Sequence, residues 1–212
     1  LDWSGDSTHA EWVAGEVIVF MPPVELHQLV EGFAFSLLER FVGLYDLGVV
    51  LQAPFEMKLP DGSSREPDLL FVAREHFDRR TAERLVGPAD LLMEILSDST
   101  ARYDRYEKFF AYERAGVPEY WLIDPRPGRQ KIEVFALSPD GRYRPLDPDS
   151  DGRYHSLALP GFWFDPRWLS QLPLPDPEDA ILEVAPDAYF EKIRTKYEAR
   201  RRSPGNGSPS HR

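Results

Sequence analysis

The order of hydrophobic patterns along the chain predicts an α/β fold with a central mixed β-sheet flanked by helices. Two long amphipathic stretches alternate with short β-branched and aromatic runs, in the order strand, helix, two strands, strand, helix, two strands. With 42% apolar and 13% aromatic residues over 212 positions, one substantial core can form, which excludes wholesale disorder and several ordinary domains alike.

Glu16-Val17-Ile18-Val19-Phe20-Met21, closed by Pro22-Pro23, reads as a first strand and its stop. From Glu25 to Val42, the residues Leu26, Leu29, Val30, Phe33, Leu37, Leu38 and Phe41 recur at three- and four-residue steps, the stripe of an amphipathic helix. Val49 to Leu59 reads as a strand interrupted by Pro54, and the turn Pro60-Asp61-Gly62-Ser63 predicts a hairpin with Pro67 to Val72 as the returning strand. Residues 74–90 are charged and poorly periodic, as in a loop with one short helix.

Leu91 to Leu96 is a compact apolar run broken by Glu94 alone, the pattern of a central strand. Ser97, Asp98, Ser99 and Thr100 are N-cap candidates for a helix reaching Ala115, which Gly116 and Pro118 stop. Glu119 to Ile123 and Lys131 to Leu137 are further strands separated by the turn-rich Asp124 to Gly128. Beyond 138 the segments His155 to Leu159 and Phe162 to Leu169 are expected to pack on the sheet edge. The chain is thus expected to divide into a main domain over 1–175, a C-terminal helical extension over 176–202 and a disordered tail over 203–212.

Charge narrows the function classes. The net charge is −11, yet residues 191–212 carry +5, which leaves −16 on residues 1–190. Such a body repels a phosphate backbone at long range, so a nucleic-acid role needs a divalent metal, a local basic patch or the basic stretch Lys192 to Arg202. Zero cysteines exclude disulfides, thiolate metal sites and a Cys nucleophile. No run of about 18 apolar residues and no leader pattern is present, so a soluble chain in a reducing, cytoplasmic setting is expected, with no membrane partner.

The chemistry-bearing residues are charges set inside apolar patterns. Asp68 stands at the mouth of a strand after Pro67, and Glu94 stands within Leu91-Leu92-Met93-Glu94-Ile95-Leu96. A carboxylate in such a run is costly unless paired or metal-bound. Two of them on neighbouring strands would make an oxygen-rich site for Mg²⁺ or Mn²⁺, completed by water and a backbone carbonyl; the alternative is that each pairs with an arginine at a strand end. Lys108 shares a helix face with Ala101, Asp104, Ala111, Tyr112 and Ala115, and the small alanines allow close approach to a sheet. Its alternative is a surface lysine paired to Asp104. The five histidines lack ligand spacing, and Tyr120-Trp121 and Phe162-Trp163-Phe164 read as core before they read as a stacking surface for bases.

At these positions the chain resembles a family. The segments Arg65-Glu66-Pro67-Asp68-Leu69-Leu70-Phe71-Val72, Pro88 to Ser97, Ser99-Thr100 with Asp104, Lys108 and Tyr112, and Ala115-Gly116-Val117-Pro118-Glu119-Tyr120-Trp121-Leu122-Ile123-Asp124-Pro125 are similar to the Uma2 family of the PD-(D/E)xK, restriction-endonuclease-like superfamily. The resemblance spans roughly Gly15 to Leu146 and implies a restriction-endonuclease-like α/β core, with Asp68 as the motif aspartate and Glu94 as the second acid. The position two residues after Glu94, where the superfamily motif has lysine, is Leu96; Lys108 is similar to the displaced lysine of other members. Glu31 is a candidate for an extra helical acid, though its place in the pattern suggests a solvent-facing residue, and His27 is a candidate cap of the first helix.

Two function classes follow. One is a metal-dependent DNA endonuclease with Asp68, Glu94 and Lys108 as catalytic residues and Mg²⁺ or Mn²⁺ held by Asp68 and Glu94, acting as a homo-oligomer, a dimer. The other is a nuclease-fold module, without activity, that serves protein interaction or regulation.

Overall fold

A computed structural model describes residues 10–13, 15–19 and 25–202. Ahead of the first expected strand lies another, β1 (Ala10–Val13), which pairs antiparallel with β2 (Glu16–Val19) around Gly15 at φ 91°. The expected continuation of β2 through Phe20 and Met21, and the tail 203–212, lie outside the described residues. Helix α1 (Glu25–Tyr45) buries Val30, Phe33, Ala34, Leu37, Leu38, Phe41 and Val42 along most of the face its sequence stripe predicts, while Leu29, at the edge of that stripe, is half exposed.

Two strands replace the single interrupted one expected over 49–59: β3 (Gly48–Gln52) and β4 (Glu56–Lys58). Pro54 lacks the N–H that a continuous ladder requires, so the chain changes sheets there. The turn at 60–63 joins β4 to β5 (Ser64–Arg65), while β3 pairs with β6 (Leu69–Ala73); the expected hairpin therefore exists in two separate pieces. After a 3-10 turn at Arg74–Arg79, β7 (Arg84–Val86), which no sequence pattern announces, completes a small sheet of order β5-β4-β7.

The strand β8 (Leu91–Ile95) is wholly buried. Helix α2 (Ala101–Tyr103) then passes through a π-turn at Asp104–Lys108 into α3 (Phe109–Ala115), which Gly116 ends in the left-handed region at φ 80°. Thr100 stands at the N-cap without capping the helix; its hydroxyl accepts from the Ser97 N–H at 3.2 Å instead. The strands β9 (Glu119–Asp124), β10 (Lys131–Leu137) and β11 (Tyr143–Leu146) complete a six-stranded sheet of order β11-β10-β9-β8-β6-β3, mixed because β8 and β9 run parallel. The short pair β12 (Tyr154–His155) and β13 (Trp163–Phe164), a 3-10 turn at Pro166–Ser170, α4 (Pro177–Val184) and α5 (Pro186–Arg202) follow.

Both faces of the sheet are covered, which is why β8 and β9 read as nearly unbroken apolar runs. One face sets Leu69, Phe71, Met93, Ile95, Trp121 and Ile123 in the same cluster as Phe33, Leu37 and Phe41 of α1. On the other, Leu70, Leu92, Leu96, Tyr120 and Leu122 cluster with Ala101, Ala111 and Tyr112. The segments expected at the sheet edge lie in the first of these clusters: Phe164 and Trp168 pack edge-on against Phe33, and Phe162 against Phe41. Their aromatic rings are core, with Phe162 and Phe164 fully buried, and offer no base-stacking surface.

Candidate active site

The site grows from the pairing of β6 with β8. Leu69 lies opposite Met93 and Leu70 opposite Leu92, so one step further the register brings Asp68 against Glu94. Residues opposite each other in an antiparallel pair project to the same side, so the two acids meet at one end of the sheet. The backbone records their approach: the Asp68 N–H points at Glu94 Oε2, 3.4 Å away. Asp68 Oδ2 accepts the Ile95 N–H at 2.7 Å and lies 3.2 Å from His27 Nε2. Glu94 Oε1 accepts from the Tyr112 hydroxyl at 2.9 Å.

Lys108 comes to the same point from the π-turn. Its face buries Ala101, Asp104, Lys108, Ala111 and Tyr112 against the sheet, and the ammonium lies 2.9 Å from Glu94 Oε1, 3.4 Å from Asp104 Oδ1 and 3.3 Å from Glu11 Oε1. The pairing with Asp104 is present as the surface alternative expected, but both groups are buried. Among the described residues, neither Asp68 nor Glu94 is held by an arginine; His27 and a backbone N–H hold the first, Lys108 and Tyr112 the second.

Sequence reasoning misses Glu11 and names His27 and Glu31 without their place in this cluster. Glu11 is buried and meets Lys108, Arg65 and Tyr103; its strand is four residues long, too short for a periodic signal. His27, the expected cap, instead reaches Asp68 across 41 residues of sequence. Glu31, read as solvent-facing, has a side chain only 16% exposed, with Oε2 3.6 Å from His27 Nδ1. Beside the family resemblance, a signal in the sequence for both is their spacing, four residues apart on one side of α1.

Electrostatics in the cluster are dominated by burial. Burial pushes the Glu94 carboxyl well above the usual range; Lys108 opposes this, while Asp68 and Asp104 add to it. Asp104 is raised to about 6, again by burial against the pull of Lys108. Burial would also raise Asp68, but the hydrogen bond and charge of His27, with Lys108 and the Ile95 N–H, leave it below the ordinary value. For Lys108, burial favours the neutral amine; the charges of Glu11, Glu94, Asp104 and Asp68 outweigh it and hold the ammonium well above its usual range. Burial, with Asp68, lifts Glu31 to about 7.

Five carboxylates (Glu11, Glu31, Asp68, Glu94, Asp104) thus share three cationic groups, Lys108, Arg65 and His27. A donor set of hard oxygens with a deficit of positive charge fits a hard divalent cation, and Asp68 with Glu94 are the pair at the sheet end that would hold it. Among the described residues, no three His, Asp or Glu side chains converge as a ready metal cage. Mg²⁺ commonly takes only one or two carboxylates and keeps several waters, so two acids meet its requirement.

Comparison with known proteins agrees with this architecture. The fold is shared with a solved protein described as "a putative nuclease belonging to DUF820" from Anabaena variabilis ATCC 29413, at a TM-score of 0.60 and 17% identity, over 76% of this chain and 88% of that one. No curated protein sequence matches the chain. No helix among the described residues is long and apolar enough to cross a membrane. The profile of the family described as "Putative restriction endonuclease" matches residues 1–170, and the chain belongs to that family, Uma2.

Proposed function

We propose that the chain is a divalent-metal-dependent endonuclease that hydrolyses phosphodiester bonds of DNA. The observation that carries this reading is the Lys108 ammonium, buried and 2.9 Å from Glu94, on the acid whose partner across the strand pair is Asp68. The position two residues beyond Glu94 is occupied by Leu96, so the cation of the site arrives from the π-turn instead of from the strand. The interaction-module reading draws on the charge of −16 on residues 1–190 and on Leu96 in the place of the motif lysine; Lys108, buried beside Glu94, speaks against it.

In this mechanism Asp68 and Glu94 would hold Mg²⁺ or Mn²⁺, which when bound supplies Lewis acidity and a water of lowered pKa. The Ile95 N–H and His27 fix Asp68 Oδ2, and the Tyr112 hydroxyl fixes Glu94 Oε1, so that both carboxylates are oriented before substrate arrives. Lys108 stabilises negative charge that grows on the phosphate as water attacks phosphorus and the P–O bond to the leaving strand breaks. DNA as the substrate, a dimeric assembly and a cytoplasmic setting belong to the same proposal.

Incubation of supercoiled plasmid with the purified chain tests it. Nicking that requires Mg²⁺ or Mn²⁺, stops in EDTA, and falls at least ~100-fold in Asp68→Asn and Glu94→Gln is the expected result, since each substitution removes charge stabilisation worth about 2.7 kcal/mol or more. Undiminished nicking in both variants would overturn it.

A further inference from the structure

We propose that Glu11, on the N-terminal hairpin, is a positioning residue that holds the Lys108 ammonium against Glu94. The inference rests on the nuclease reading for what the held lysine does, and on geometry alone for the holding.

Strand alternation turns Trp12 outward, where it is 44% exposed, and Glu11 inward, where it is 1% exposed. A carboxylate buried to this degree needs several donors, and Glu11 divides its two oxygens between two sets of them. Oε1 takes the Glu66 N–H at 3.2 Å and lies 3.3 Å from Lys108 Nζ. Oε2 accepts the Tyr103 hydroxyl at 2.8 Å and lies 3.6 Å from Arg65 Nε. The second set ties the carboxylate to β5 and α2, so its grip on Lys108 does not depend on the hairpin alone.

An ammonium has three N–H donors. Lys108 meets an acid from each of three elements within 3.4 Å: Glu11 of β1, Glu94 of β8 and Asp104 of the π-turn itself. Contacts to acids on three separate elements hold the end of a flexible four-carbon stem more closely than contacts to two would. Glu11 therefore acts on the reaction through Lys108 and has no need to touch substrate.

The test is acylation of Lys108 by an amine-reactive ester in the metal-free full-length chain, followed by peptide mass spectrometry, beside steady-state cleavage. In Glu11→Gln the labelling of Lys108 should rise on the order of 10-fold, the factor implied by losing one hydrogen bond to a charged group. The kcat for cleavage should fall while KM stays near the wild-type value, and Glu11→Asp should restore part of both. Tyr103→Phe removes the hydrogen bond to Oε2, and should give a smaller rise in labelling if Glu11→Gln does not fold. Protection of Lys108 unchanged in a folded Glu11→Gln, or in Tyr103→Phe where Glu11→Gln fails to fold, overturns the proposal. A wild-type chain that cuts no DNA, with Lys108 still released in Glu11→Gln, supports the positioning role and rejects the nuclease reading.

Discussion

Glu31 shows how a single carboxyl near this site couples folding to pH. Burial and the charge of Asp68, against the pull of His27, raise it from an ordinary 4.5 to about 7, so the folded chain binds its proton more tightly than the unfolded chain does. For an acid raised in this way, stability is fully present below the unfolded value and is lost as pH rises through the window from 4.5 to about 7. Glu31→Gln should accordingly melt about 3 °C higher than wild type at pH 8, the shift that about 1 kcal/mol gives in a chain of this size, with the gap closing as pH falls toward 4.5. Equal melting curves at pH 8 would show that burial and Asp68 do not raise the Glu31 carboxyl. At this scale Asp68, Glu94 and Lys108 were legible because a charge inside an apolar pattern demands a partner. Glu11 was not, and His27 and Glu31 were legible as candidates but not in their orientation, because nothing in a local window shows that β1 and α1 turn these side chains toward the end of β6.

Element boundaries follow local chemistry where it is strong and long-range pairing where it is weak. Helix α1, β8 and the 101–115 helix stand where periodicity and Gly116 put them. The split of β3 from β4 did not emerge from the sequence, since Pro54 announces an interruption and not a change of sheet, and β7 pairs parallel with β4 across 28 residues. The π-turn was likewise invisible: the residues Asp104–Lys108 continue a helical face, and nothing in their sequence marks the widening. Gly48 marks a close approach of β3 to β6, because a Cβ there would collide with the Val72 carbonyl oxygen and lie 2.9 Å from Phe71 Cε2. Gly48→Ala should therefore cost about 2 kcal/mol, a fall of roughly 6 °C in melting temperature. A melting temperature within a degree of wild type would mean that this edge of the sheet yields more readily than its packing implies.

For the whole molecule the governing fact is a charge of −16 on residues 1–190 beside a basic, exposed α5, none of whose side chains is buried. If α5 supplies part of the affinity for DNA, removal of residues 192–212 should weaken binding and flatten its salt dependence by about 0.9 in the log-log slope for each phosphate that α5 neutralises. An unchanged slope would place the neutralising charges on the body. A body so acidic approaches a phosphate only where its own negative field is answered, and the site at the end of β6 and β8 is where a metal ion would answer it. Anomalous scattering from crystals soaked in Mn²⁺ tests this most directly. The expected result is a peak within about 2.5 Å of carboxylate oxygens of both Asp68 and Glu94, absent in Glu94→Gln; Mn²⁺ bound only elsewhere on a well-ordered chain, or the same peak in Glu94→Gln, would contradict a metal site between these two acids.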